Sequence, residues 1–395
     1  MVLKKEILIG PLRTPVFLSF LPFSFIAFLL PIYGKSLDAS AMSIGGLFSI
    51  FTASTLIFRP LIGSALDRFG RKKFILSALV VNTIAMIVFI FATNLPLLYI
   101  ARFIQGIGFL FLTISIVTMV ADMSADSDRG KAMGISLQKQ TQGRIVGVGL
   151  GFSFFMFLPG GLAWQMAFLF FAVMTSIATF LAWKRIPETN PSVIINDAFS
   201  SEKQPVFLQL FKLMVVVCMV GISFSMLMPI SLIMMQDKFA ANVESMGLVF
   251  LPGALVIGFL SSRLGKLSDR FGRLKMMFFG LAFTGLSFLF VPLSPSMYWL
   301  AVVFFLIHTG LAIIEPAQTA MVVDIVGHEN RGKSYGWYDL SRAFGLTIGP
   351  LTCGWLYDNM GPAIPFYFSA FTLFFGSFWL IMFMRKSGSI YSITN

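Results

Sequence analysis

The sequence predicts an all-α membrane protein, with twelve transmembrane helices in two pseudo-symmetric six-helix bundles. Three observations predict it. Charged types make up 12% of the 395 residues and apolar types 57%, whereas a soluble globular protein carries about 25% charge. So few charges cannot cover a water-facing surface, and most of the outer surface must face lipid. Apolar runs long enough to cross a bilayer, about 20 residues, recur twelve times. Finally, the second half of the chain repeats the first at a fixed offset. A mean hydropathy of +0.86 and 46 Phe agree, and 34 Gly suit helices that approach closely in lipid.

In chain order the runs fall at 15–33, 43–65, 74–93, 97–120, 132–158 and 164–183, then at 207–232, 244–264, 276–293, 298–322, 334–357 and 364–384. Lys4 and Lys5 precede the first run, but that run is span-length and lacks a small-residue cleavage site. It reads as the first helix and not as a signal peptide. Between the sixth and seventh runs lies the one long polar stretch, with Pro187, Asn190, Pro191 and Asn196. The expected organisation is an N-terminal bundle over 1–183, a cytoplasmic linker over 184–206 and a C-terminal bundle over 207–395.

The net charge of +12 would suggest nucleic acid in a soluble chain. Here the basic residues sit in short loops. With the N-terminus inside, the inner loops collect Arg68, Arg71, Lys72 and Lys73, then Arg129 and Lys131, then the Lys184–Lys212 linker region, then Arg263 through Lys275, then Arg331 and Lys333. The outer loops hold only Lys35 and Lys238. That asymmetry is the positive-inside pattern. It places both termini and the linker in the cytoplasm, in a multi-pass protein of the cytoplasmic (plasma) membrane, with the lipid bilayer and no nucleic acid as partner. Two Cys and two His offer neither a disulfide framework nor a zinc site. With no nucleophile elbow, clustered His/Asp set or Gly-rich phosphate loop, no catalytic residue, metal or cofactor is expected. A membrane-embedded enzyme or an ATP-driven pump is disfavoured.

The repeat is explicit. Gly63-x-x-x-Asp67-Arg68-Phe69-Gly70-Arg71 recurs as Gly265-x-x-x-Asp269-Arg270-Phe271-Gly272-Arg273, and Asp122…Arg129 recurs as Asp324…Arg331. Both pairs are offset by 202 residues (269 minus 67, and 331 minus 129). Transporters commonly carry such repeats. The Gly-x-x-x-Asp-Arg-x-Gly-Arg loop between runs 2 and 3 resembles the signature of the major facilitator superfamily, and the resemblance spans essentially the whole chain. Within that superfamily the chain most resembles the drug:proton antiporter and small-metabolite exporter branches.

The resemblance implies that Asp67 approaches the positive start of run 11, near Ser334, and Asp269 the start of run 5, near Ala132. A charge–dipole contact of this kind contributes about 1–2 kcal/mol, enough to bias a two-state equilibrium as an inner latch. On charge alone, Arg71 and Arg273 can pair with Asp122 and Asp324, acids at helix C-termini that need a cationic partner. The alternative is that this whole set only obeys loop topology.

Ionisable residues within a span are functional candidates by default. Arg102, followed by Gln105 in Arg102-Phe-Ile-Gln105-Gly106, resembles the run 4 motif of proton-coupled members; the alternative is an Arg that snorkels to the headgroups. Run 5 carries Gln138, Lys139, Gln140, Gln142 and Arg144, too polar a stretch to face lipid. Lys139 and Gln142 are i, i+3 neighbours that share one face. The same run partly matches the antiporter glycine motif through Gly134, Gly143, Gly147 and Gly151. Run 11 matches it more closely through Gly336, Gly345, Gly349-Pro350 and Gly354; tight packing alone is the plainer explanation. On runs 10 and 11, Glu315 and then Asp339 are the expected proton sites, with Arg342 close by, although Asp339 and Arg342 at i, i+3 also suit a plain ion pair. His308 reads as a hydrogen bonder lining the cavity. Four span cations (Arg102, Lys139, Arg144, Arg342) against two acids favour an anionic or zwitterionic substrate.

The expected function is secondary active transport by a monomer that uses protons. It would export small amphipathic or anionic compounds by alternating access. Proton-linked metabolite uptake, lipid flipping and a membrane-embedded sensor are the competing readings.

Overall fold

The computed structural model of the protein describes residues 10–124, 128–189, 204–260, 264, 268, 270–326 and 331–384. Twelve helices lie among the described residues: α1 Gly10–Ser36, α2 Ala41–Phe69, α3 Arg71–Ile90, α4 Leu95–Met123, α5 Arg129–Phe157, α6 Gly160–Arg185, α7 Gln204–Phe239, α8 Val243–Phe259, α9 Arg273–Leu289, α10 Met297–Val326, α11 Arg331–Met360 and α12 Ile364–Met384. Local chemistry sets several starts. Asn94 caps α4 by accepting from the Leu97 N–H, with Pro at the helix start, and Asn242 caps α8 from the Ser245 N–H; such caps satisfy donors that a first turn leaves unpaired. Gly70 and Gly272, one residue before α3 and α9, sit at φ of 85° and 90°, a region open to glycine.

Eight helices (α1 to α4, α6, α7, α10 and α12) are long and apolar enough to cross a membrane. The other four depart for two reasons. α8 and α9 are short, at 17 residues each. α5 and α11 are 29 and 30 residues long but carry the polar residues picked out above. Pro22, Pro229 and Pro316 lie inside α1, α7 and α10, which spans tolerate where neighbours re-satisfy the freed carbonyls.

Contacts divide the chain into one unit of Met1–Ala39 with Ile50–Asp197, and a second of Ser40–Ser49 with Ala198–Asn395. Each has its own core, and the two pack alike. In the first unit α1 packs on α5 and α6, and α3 on α4 and α6; in the second, α7 packs on α11 and α12, and α9 on α10 and α12. The first core centres on Phe20, Phe25, Phe89, Phe168 and Phe171, the second on Phe288, Phe304 and Phe366. At one end of the first unit Tyr33 stacks on Trp164 with centroids 3.5 Å apart, and the Trp164 indole donates to the Phe89 carbonyl at 2.9 Å. Large apolar side chains such as Phe157, Phe180, Phe371 and Phe378 point outward, as a lipid-facing surface requires.

Glycines set the closest approaches. A Cβ at Gly143 or Gly147 would collide with the backbone carbonyls of Phe17 and Leu21 on α1, and one at Gly345 or Gly349 with α7 at Cys218 and Ile222. The glycine pattern of runs 5 and 11 thus seats α5 on α1 and α11 on α7. Gly134 and Gly336 meet nothing within 4 Å.

Candidate functional site

In the second unit α10 presents Leu311, Glu315 and Gln318 along one face, at the three- and four-residue spacing that aligns side chains on a helix. They line a cleft with Val217, Val220, Gly221 and Phe224 of α7 and Arg342 and Leu346 of α11. Arg342 Nη2 donates to Glu315 Oε1 at 3.1 Å. Arg342 thus meets Glu315 on the neighbouring helix. Asp339 is part-buried. The two paired side chains are 41% and 50% exposed. Pro316 follows Glu315 immediately, and the Thr319 hydroxyl donates to the Glu315 carbonyl at 2.6 Å.

His308, expected as a hydrogen bonder lining the cavity, is buried at 8% exposure. Its Nδ1 lies 2.7 Å from the Phe304 carbonyl, its ring stands edge-on to Phe224, and a Cβ at Gly253 would strike it. A glycine on α8 makes the space that the imidazole fills.

In the first unit Arg102 is 4% exposed, so it does not snorkel. Its Nη1 donates to Gln105 Oε1 at 2.7 Å and its guanidinium lies 4.3 Å from the Phe51 ring centre, an arrangement that stabilises a desolvated cation. On α5 the Lys139 ammonium donates to Gln142 Oε1 at 2.8 Å, and Gln138 is exposed. Arg144 stacks over Phe20 at 5.1 Å. Each span cation is therefore engaged by a neighbour within the protein, Arg342 by a carboxylate and the other three by a neutral amide or ring.

At the signature loops, Arg71 Nε lies 3.2 Å from Asp122 Oδ2, with Arg71 at 6% side-chain exposure. Arg273 pairs with Asp324 and also donates to the Ala320 carbonyl at 2.8 Å. Arg129 is exposed, and Arg270 lies 5.7 Å from the Phe271 ring centre. Gly265 and Asp269 lie outside the described residues, as do the surroundings of Gly63 and the side chains of Asp67, Arg68 and Arg331.

Three residues that sequence reasoning missed take part. Glu188, just past α6, accepts from the Lys72 N–H at 3.2 Å and approaches Gly70, so it caps α3 from the start of the linker. Asp358, near the end of α11, caps α2: Oδ1 accepts from the Ala41 N–H at 3.0 Å and Oδ2 from the Met42 N–H at 2.8 Å. An acid at a helix C-terminus is unfavourable there without a partner, which was the available signal. Gln318 was visible as the one amide in run 10.

The sequence pattern of the Major Facilitator Superfamily matches residues 16–213 and again 213–390, once per half. Multidrug resistance protein 1 of Bacillus subtilis (strain 168) is 26% identical over 377 residues, covering 94% of this chain and 95% of that protein. The chromaffin granule amine transporter of Homo sapiens is 25% identical over 82% of this chain and 62% of its own length. Among solved structures, the peptide transporter POT in complex with sulfate superposes at a TM-score of 0.79 with 14% identity, over 97% of this chain and 95% of that one. The human organic anion transporter MFSD10 (TETRAN) does so at 0.68 with 18% identity, over 95% and 99%; both likenesses are of fold. Two matched halves, each carrying the signature loop and its Arg–Asp pair, make this chain a multi-pass membrane protein that belongs to the Major Facilitator Superfamily of transporters.

Proposed function

We propose that the protein is a proton-coupled exporter of small amphipathic compounds, working as a monomer in a cytoplasmic membrane by alternating access, with both termini in the cytoplasm. The observation that carries this reading is the half-exposed Glu315–Arg342 pair on two spans. A carboxylate can hold a proton or a cation, but not both. Protonation neutralises Glu315 and releases whatever cation it held; loss of the proton restores the charge. Proton and a cationic, amphipathic substrate thus compete for one group, and that competition makes exchange possible. The multidrug and amine relatives support a substrate of this kind.

Arg342 favours a second reading. An anion that pairs with Arg342 must displace Glu315, and protonation of Glu315 assists it. Anion and proton would then bind together, which gives uptake with the proton and not exchange.

Proteoliposomes separate the two. The permanent cation ethidium is expected to accumulate inside vesicles whose interior is made acidic, and to leave when the gradient is collapsed with an ionophore. Accumulation of carboxyfluorescein driven by external acid, with no ethidium response, would favour the uptake reading. Flux of neither probe under either gradient counts against proton coupling.

A further inference from the structure

Resting on the reading of Glu315 as the proton site, we infer that Gln318 is a positioning residue for it: the Gln318 amide holds a single water against the Glu315 carboxyl, and protons reach the carboxylate through that water. Gln318 is 2% exposed, and its Nε2 is buried with no hydrogen-bond partner among the described residues. A buried donor in that condition is unfavourable, so something other than protein must serve it. It lies three residues from Glu315, on the same face of α10, and both line one cleft with Arg342.

Size decides what serves it. The space in the cleft is about 10 Å³, and one water needs roughly 10–15 Å³ with two or more polar partners. That space suits a water beside Gln318, with the amide donating to it and the carboxyl of Glu315 within its reach, while the exposed half of Glu315 stays open to a larger ligand. A hydronium arriving there gives one proton to the carboxylate, forming the carboxylic acid, and is left as neutral water, while Arg342 keeps its charge. The α7 wall of Val217, Val220, Gly221 and Phe224 offers no titratable group. α11 supplies Arg342 and, one turn earlier, Asp339. Further along α10, His308 is taken up by the Phe304 carbonyl, and from α9 Arg273 is taken up by Asp324. Among the described residues, the Gln318 side of the cleft thus offers Glu315 a water and no titratable side chain but Arg342.

The test is pH-difference infrared spectroscopy of the full-length protein in lipid nanodiscs, which needs no substrate. The protonated-carboxyl stretch of Glu315 is assigned by its loss in Glu315→Gln. In Gln318→Met, which keeps the side chain's length but removes the donor, that stretch is expected to move to higher frequency, as a carboxylic acid does when it loses a hydrogen bond. If Gln318→Met does not yield a monodisperse protein, Gln318→Asn, with its amide drawn back by one methylene, is expected to shift the stretch in the same direction by less. An unmoved stretch in a folded Gln318 variant overturns the inference and leaves the Glu315 reading standing. A stretch that persists in Glu315→Gln overturns that reading, and the inference with it.

Discussion

Glu315 and Arg342 hold each other at 3.1 Å with about half of each side chain open to water. Exposed pairs of this kind contribute about 0–1 kcal/mol, little enough for a proton or a ligand to displace one partner. Arg71–Asp122 is the contrasting case, because Arg71 is nearly sealed and Asp122 sits where the helix dipole repels an anion. Arg71→Gln is therefore expected to destabilise the first unit by about 1–3 kcal/mol, since it leaves a charged group without its partner. Thermal unfolding in detergent would show this as a lowered Tm, and adding Asp122→Asn should recover most of the loss; an unchanged Tm in the single variant would mean that the pair is ornamental. These two pairs also differ in how far the sequence reveals them. Arg71–Asp122 follows from charge arithmetic at loop ends. Glu315–Arg342 does not, because Asp339 is the nearer acid along the chain and only the packing of α10 beside α11 brings Glu315 to Arg342.

At the scale of elements, glycine stripes fix which helices touch. Gly147 faces the Leu21 carbonyl of α1, whereas Gly149, two residues on, meets nothing within 4 Å. Gly147→Leu should force α5 off α1 and abolish the monodisperse peak in size-exclusion chromatography, since overpacking costs about 1–3 kcal/mol or more; Gly149→Leu should elute as the parent does. Equal behaviour of the two would refute the packing assigned to α5. The signature turns give a second contrast. Gly70 and Gly272 share a positive φ, so Ala at either is strained, but only Gly70 has a neighbour, the Glu188 carboxylate. Gly70→Ala is expected to lower Tm by more than Gly272→Ala does. Most element positions were legible, because lipid forces long apolar runs and the repeat sets their register. The end of α9 was not, because Phe290, Val291 and Leu293 carry the apolar run past Leu289. Nor was the reach of Glu188 back to α3, which depends on where the linker leaves α6.

For the whole molecule, the sequence carried the fold and left the site half-read. Matched loops 202 residues apart (269 minus 67) imply two like bundles, and the packing of α1 on α5 and α7 on α11 repeats as the duplication requires. Orientation rests on the distribution of Lys and Arg. In a Cys218→Ser, Cys353→Ser background, a cysteine at Ser201 in the linker should label only from the cytoplasmic side with a membrane-impermeant maleimide, and one at Ser36 only from outside; labelling of both from one side would break the positive-inside assignment. The substrate was the least legible part. Counting span charges pointed to anions, and the contacts show how each span cation is held: Arg102 by Gln105, Lys139 by Gln142, Arg144 by Phe20 and Arg342 by Glu315. Spacing along α5 suggested the Lys139–Gln142 contact, whereas Arg342–Glu315 joins two helices and spacing does not show it.

The central claim is that Glu315 takes the proton that drives transport. Glu315→Gln and the parent protein, reconstituted side by side, are compared for ethidium accumulation under an interior-acid gradient and for ethidium exchange at equal pH. The account predicts that the variant loses the response to the gradient and exchanges ethidium more slowly at equal pH, since the carboxylate that holds proton and cation in turn is gone. A variant that accumulates ethidium as the parent does would contradict it.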